Sequence, residues 1–209
     1  CVCEPTGCGL GGDLFAIVWD AKSQRLHGLN ASGRSPQTLT REWFEENDHA
    51  TIPKYGPLPL SVPGCVDGWF QLHDRFGKSP MRSLLRPAIR AAQEGVVVPQ
   101  IIAEYWRLGI DARKEQPGFR EVFMPWGRGP NEGEVYSNTA LASTLRVIAA
   151  GGVDSFYRGA IADTCTSFVQ KHGGFLTAKD FAEHRSEWIE PVSTNYRGYD
   201  VWELPPNGQ

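Results

Sequence analysis

Residues 7–20 read GCGLGGDLFAIVWD, and how that run is read decides the fold. Gly7, Gly9 and Gly12 spell G-x-G-x-x-G, the spacing of a dinucleotide-binding turn. That turn works only where a buried strand precedes the glycines and a helix follows, so that helix N–H groups meet a pyrophosphate. Here CVCEPT precedes them, and Pro5 is incompatible with a central strand. The run that follows, Leu14 to Trp19, is rich in β-branched and aromatic residues and reads as a strand. The glycines therefore predict a tight entry into a sheet, with positive φ and close backbone approach, and not a nucleotide site.

The chain has 209 residues, 41% hydrophobic and 22% charged, with seven Trp and ten Phe, which is a globular composition able to fill a sizeable core. A net charge of -3 gives no basic face for nucleic acid or an anionic membrane. No apolar run approaches the roughly 20 residues of a membrane span. Five cysteines, Cys1, Cys3, Cys8, Cys65 and Cys165, make an odd and irregular set. That is not a disulfide framework, and no second pair or histidine stands at zinc spacing from Cys1-x-Cys3. Buried thiols in a reducing compartment, cytoplasmic rather than periplasmic or secreted, are the expectation. No metal or cofactor is expected.

Outward from the opening run, residues 14–19 and 25–30 predict a hairpin about Ala21–Gln24. Thr40 is an N-cap with Leu39 and Phe44 as a hydrophobic staple. Residues 47–64 are rich in Pro and Gly and read as irregular. Val66, Trp69, Phe70, His73 and Phe76 recur at helical spacing up to Gly77. Ser79-Pro80 opens the next helix, with the stripe Leu84, Leu85, Ala88, Ile89, Ala92 and a kink or a restart at Pro87. Residues 99–108 read as helix and 116–136 as a long surface loop, a kind of segment that often carries function. Asn138 caps a helix ending at Gly151-Gly152. Asp154 opens another that carries Ile161, Cys165, Phe168 and Val169 to Gly173-Gly174. Thr177-x-x-Asp180 is a capping box, and two strand-like runs flank Arg197-Gly198. The class is α+β, helical in the middle with strands at both ends. A sheet begun at one end and resumed at the other, with the last run stopping in a turn, predicts a single incomplete domain over 1–209.

Catalytic sets are missing. There is no G-x-S-x-G, H-E-x-x-H or P-loop. The five histidines stand apart, and His73 and His172 have structural positions, beside an apolar stripe and in a last helical turn. Asp13 and Asp20 form no evident carboxylate pair. One loop suggests a ligand: LNASGRSP, residues 29–36, places Arg34 just off a strand with Asn30 and Ser32 beside it. A guanidinium offers a rigid fork suited to a carboxylate. A solvated arginine at a hairpin exit is the simpler reading of the same residues.

Six stretches in order, GLGGDLFAIVWDAK (9–22), LNASGRSP (29–36), LSVPGCVDGWFQLHDRFGK (60–78), LLRPAIRAAQEGVVV (84–98), FYRGAIADTCTSFVQKHGGFLT (156–177) and YRGYDVWELPPNGQ (196–209), resemble the gamma-glutamyltransferase family. SVPG and YRGY…PP are the sharpest parts. The nearest likeness is to the branch carrying LN-x-SGR-x-P and PPNGQG. The resemblance implies an N-terminal-nucleophile hydrolase with an αββα sandwich. It is made as one precursor that cuts itself to expose a threonine nucleophile on a small subunit. It also implies a gamma-glutamyl or related acyl substrate. This chain corresponds to the central part of the large subunit, so no catalytic residue is expected within it. In the better-known transferases an arginine of this loop grips the substrate α-carboxylate. Alignment on Pro36 puts Ser32 at that position and Arg34 two residues later. Arg34, Ser32 and Asn30 are therefore the candidate substrate-binding residues, and acyl substrates other than gamma-glutamyl stay open. Two other readings remain: a non-catalytic binding module derived from the fold, and Cys1 as nucleophile.

Overall fold

In the computed structural model residues 1–208 are described; Gln209, the last residue of the PPNGQ stretch, lies outside them. The elements run β1 Leu14–Asp20, β2 Arg25–Ala31, α1 Arg41–Glu46, α2 Cys65–Phe76, α3 Met81–Glu94, β3 Val96–Val97, α4 Gln100–Ile110 and α5 Phe119–Phe123. They continue with β4 Val135–Tyr136, α6 Thr139–Gly151, α7 Asp154–Tyr157, α8 Ala160–Lys171, α9 Ala178–Glu183, β5 Glu187–Ile189, β6 Val192–Tyr196 and β7 Tyr199–Glu203.

β1 and β2 form the expected antiparallel hairpin, Leu14 opposite Ala31 and Asp20 opposite Arg25. β5 adds antiparallel to β2, with Gly28 opposite Ile189 and Asn30 opposite Glu187. The alternation of β1 turns Leu14, Ala16 and Val18 to one face and exposes Phe15, Ile17 and Trp19 on the other. The inner face takes α2, where Gly68 leaves room for Leu14 and Ala31; a Cβ there would stand 2.7 Å from the Ala31 Cβ. The glycines before β1 differ from expectation. None of Gly7, Gly9, Gly11 and Gly12 has positive φ, and none meets backbone closer than the 3.7 Å of Gly12 to the Gly9 carbonyl. They form successive turns. Their tertiary tie is the Gly12 carbonyl, which accepts from Cys65 N at 3.0 Å at the start of α2.

The helical core is built from Val66, Leu85, Leu145, Ile148, Phe156, Tyr157 and Phe181, all buried. The local end signals work as chemistry demands. Asn138 accepts from Leu141 N at 2.8 Å, and Thr177 and Asp180 close a reciprocal capping box. Thr40 accepts from Trp43 N at 3.3 Å. Five details depart from the sequence reading. α3 begins at Met81 with Pro80 at the cap and without a side-chain cap bond. It does not restart at Pro87, which lies within the helix on its exposed face. Of its expected stripe, Leu85, Ile89 and Ala92 pack inward, while Leu84 and Ala88 face out. The helix expected from Asp154 is two, α7 and α8, divided at Arg158-Gly159. The 116–136 segment is also not a bare loop. It contains α5 and β4, the latter paired with β3, and is held by Trp106 Nε1 donating to the Phe123 carbonyl at 2.9 Å.

Candidate substrate site

The site is built where β2 leaves the sheet. Gly33 and Gly64 let this exit loop and the Ser61–Gly64 segment touch backbone to backbone. A Cβ on Gly33 would fall 1.5 Å from the Val62 carbonyl oxygen, and one on Gly64 would fall 2.0 Å from that of Ala31. Only glycine permits that approach. The contact is locked by Val62 N donating to the Arg34 carbonyl at 3.0 Å.

Asn30, Ser32 and Arg34 come together around one cavity of about 140 Å³, which Gly33, Arg185, Glu187 and Asn207 complete. Asn30 Nδ2 donates to Asn207 Oδ1 at 2.9 Å, and Asn207 Nδ2 donates to Ser32 Oγ at 2.8 Å. Ser32 Oγ in turn donates to Asp13 Oδ2 at 3.0 Å, and Asp13 Oδ1 accepts from Gly33 N at 3.0 Å. Asn30 and Ser32 thus stitch the loop to Asp13 on one side and to the C-terminal PPN run on the other. Arg34 is the freer group. Its side chain is 77% exposed, and Nη2 reaches Glu187 Oε1 at 2.5 Å. An ion pair so open to water adds little stability, but it orients the guanidinium along the cavity lip. Arg185 lines the same cavity, so two guanidinium groups border it.

A second cleft of about 550 Å³ adjoins the first at Arg34 and is lined by Gln37, Leu39, Val62, Asp180, Glu183 and His184 among others. Asp180 is buried and saturated: it accepts from Gln37 N at 3.0 Å and from Thr177 N and Oγ1 at 2.8 and 2.7 Å. Glu183 Oε2 accepts from Gln37 Nε2 at 2.5 Å.

The remaining sequence candidates stand outside these cavities. Cys1 lines neither. Of the five thiols Cys65 alone is buried, while Cys3 and Cys8 are exposed, contrary to the expectation of buried thiols. Burial pushes the Cys65 thiol up to about 11, which keeps it protonated and unreactive. His73 shares a hydrogen bond with the Ser79 carbonyl at 2.7 Å, and His172 is the C-cap of α8. No group of acidic, histidine or cysteine side chains suited to a metal occurs among the described residues, and no helix among them is long and apolar enough to cross a membrane. The residues that sequence reasoning missed are Asp13, Arg185, His184, Glu187 and Asn207. Of these, the sequence reading weighs Asp13 only as a carboxylate partner of Asp20, and it and Asn207 lie within family-like stretches.

The sequence model of the gamma-glutamyltranspeptidase family matches residues 1–209. The glutathione hydrolase-like YwrD proenzyme of Bacillus subtilis is 34% identical over 209 residues, covering 100% of this chain and 39% of that protein. Among solved structures, the cephalosporin acylase from Bacillus halodurans superposes with a TM-score of 0.90 at 45% identity, covering 99% of this chain and 39% of that one. The gamma-glutamyltranspeptidase of Helicobacter pylori also gives 0.90, at 27% identity, over 98% of this chain and 60% of that one. The chain thus spans about two fifths of the length of the YwrD proenzyme and of the cephalosporin acylase.

Proposed function

The chain belongs to the gamma-glutamyltranspeptidase family and has the α+β fold of an N-terminal-nucleophile hydrolase; from this premise we propose that it forms the carboxylate-binding wall of an acyl-transferring or amide-hydrolysing enzyme. The whole protein is a self-processing precursor, and its nucleophile is an N-terminal threonine on a small subunit outside residues 1–209. The substrate is a small gamma-glutamyl amide. Its acyl group passes to the threonine with loss of the amine and then to water or an amino acid. The observation that carries the reading is Arg34: an exposed planar fork, aimed by Glu187, on a loop held rigid by Gly33, Val62, Asp13 and Asn207.

The test uses the full-length processed protein and two chromogenic anilides, gamma-glutamyl and 4-aminobutanoyl, which differ in the α-carboxylate. A charge-assisted contact is worth about 1.5–3 kcal/mol. Arg34→Ala should lower kcat/KM on the gamma-glutamyl anilide about ten- to a hundred-fold and leave the other unchanged. Arg34→Lys keeps the charge without the fork and should recover part of the loss. Equal effects on both anilides, or none on either, would show that Arg34 does not read that carboxylate. A second reading, an acylase for another acyl group, draws on the 45% identity to a cephalosporin acylase. Preference for a glutaryl over a gamma-glutamyl anilide would favour it.

A further inference from the structure

Arg34 and Glu187 come from different segments, the exit of β2 and the start of β5, so their alignment needs a frame. The pairing of Asn30 with Glu187 fixes the strands. Past Ala31 the loop has left the sheet, and the Arg34 carbonyl accepts from Val62 N at 3.0 Å. From there a chain of hydrogen bonds leads back to Glu187. The carbonyl of Pro63, next to Val62, accepts from the Tyr157 hydroxyl at 2.6 Å. The same hydroxyl accepts from Asp67 N at 3.0 Å. Asp67 Oδ2 accepts from Ser186 N at 2.8 Å, one residue before Glu187. Glu187 then closes the ring on the guanidinium of Arg34.

Tyr157 is the fixed member of that ring. It is 3% exposed, ends α7, and packs in the helical core against Phe156 and Phe181. The His184 ring stacks on it, centroids 5.2 Å apart and planes 18° apart. Burial raises the proton affinity of the phenol well above its usual range, so the hydroxyl stays a donor at any working pH. A buried hydroxyl that donates to one backbone and accepts from another holds the two together. Residues 61–64 belong to no helix or strand, and Tyr157 ties them to the core beside the buried side chain of Val62. Asp67, in the first turn of α2, carries the same frame to the segment between α9 and β5.

We infer that Tyr157 is a positioning residue: its hydroxyl, with Asp67, holds the Arg34 loop and the Glu187 segment in the relation that aims the guanidinium. Tyr157 lines neither cavity of the site and acts only through these neighbours. The inference rests on the reading of Arg34 given above and deepens it by naming what fixes the fork.

The test again uses the full-length processed protein, with the gamma-glutamyl and 4-aminobutanoyl anilides. Tyr157→Phe keeps the ring and removes the hydroxyl. It should raise KM on the gamma-glutamyl anilide about three- to tenfold, and leave kcat and the 4-aminobutanoyl anilide within about twofold. In an Arg34→Ala background it should add no further loss, because the group it aims is gone. Asp67→Ala should reproduce the selective loss. Asp67→Asn keeps an acceptor for Ser186 N and should recover most of it. Intact mass confirms that each variant has processed itself, and rates are taken well below the lowest Tm of the set. Should Tyr157→Phe fail to process, the comparison is read on the two Asp67 variants. Where wild type cleaves only the gamma-glutamyl anilide, the Arg34→Ala background decides. Equal loss on both anilides, no loss on either, a loss that adds in full to that of Arg34→Ala, or no recovery in Asp67→Asn overturns the inference. Selective loss in Arg34→Ala without it in Tyr157→Phe overturns the inference and leaves the parent reading standing. Arg34→Ala that slows both anilides equally, or wild-type enzyme that cleaves neither, overturns the parent reading and the inference with it.

Discussion

The helical and the stranded parts of this chain bury their apolar residues very differently. Val66, Leu145, Ile148, Phe156, Tyr157 and Phe181 close on one another between α2, α6, α7 and α9. On the strands, Phe15, Ile17 and Trp19 of β1 and Tyr196, Tyr199, Val201 and Trp202 of β6–β7 face outward, and every residue of β6 and β7 is exposed. The core helices find their partners within this chain, α2 clustering with α6, α7 and α9. A sheet face needs a second layer, and a two-stranded ribbon is marginal without one. The core helices cover one another, although Ile101, Tyr105 and Leu108 of α4 and Phe168 of α8 stay exposed, while the outer faces of β1, β6 and β7 have no cover among residues 1–208. The site loop lies on the seam. Its backbone is pinned to the segment before α2 through Val62, and its Ser32 side chain to the run after β7 through Asn207.

The largest expected effect is at that seam. In Gly33→Ala the new methyl group would overlap the Val62 carbonyl oxygen, a backbone atom that cannot swing aside. The loop and the SVPG segment must separate, and we expect a loss of more than about 4 kcal/mol together with loss of activity in the whole protein. Thermal unfolding that matches wild type would show that the two segments are not held against each other. Next comes Phe181→Ala in the helical core. Truncating a fully buried phenylalanine costs about 3–5 kcal/mol, read as a lower denaturant midpoint at unchanged m-value.

The strand side sharpens the contrast. Trp19 is 54% exposed, so Trp19→Ser in the chain 1–209 should cost under about 1 kcal/mol. The same substitution in the full-length protein should cost more than about 2 kcal/mol if a further layer covers this face. Equal small costs in both proteins would mean that β1 stays open to water, and the comparison drawn above would fail.

The helical part was legible in the sequence because its signals are local. Asn138 and the Thr177–Asp180 pair specify their helix ends within three residues, and the Arg197-Gly198 turn follows from two positive φ values, 53° and 88°, that match the twist of a two-residue hairpin. Pro87 left a kink and a restart open; the helix does not restart there, and Pro87 lies on its exposed face, a placement that the local pattern does not encode. β5 was invisible: three residues whose partner, β2, lies far upstream. In the site, Arg34 was legible because a guanidinium on a Gly/Ser loop is chemically conspicuous. Asp13, Asn207 and Glu187 were not, since their roles rest on contacts such as Asn207 to Ser32, 175 positions apart. His184 gave no signal, because what marks it is burial without a partner, a property of the folded packing alone.

The smallest effect lies in the 128–134 turn, outside both regions compared. Glu134 accepts from both terminal nitrogens of Arg128, at 2.8 and 2.7 Å, and from Asn131 N at 2.7 Å. The Arg128 guanidinium first, then the Asn131 amide, hold its carboxyl down at about 2, against a usual 4.5. A carboxyl whose folded value is depressed contributes stability above its unfolded value and loses that contribution as pH falls through the folded one. Between pH 4.5 and 2, then, wild-type protein should give up what this cluster supplies, and Glu134→Gln should have nothing of it to lose. The measurement is the difference in Tm between the two proteins across that interval. It should be small at neutral pH, as solvent-screened pairs are, and shrink toward zero on acidification. A gap that stays constant down to pH 2 would mean that the Glu134 charge contributes nothing to the turn. A gap rivalling that of Phe181→Ala would mean that this turn, and not the helical core alone, holds the middle of the chain together.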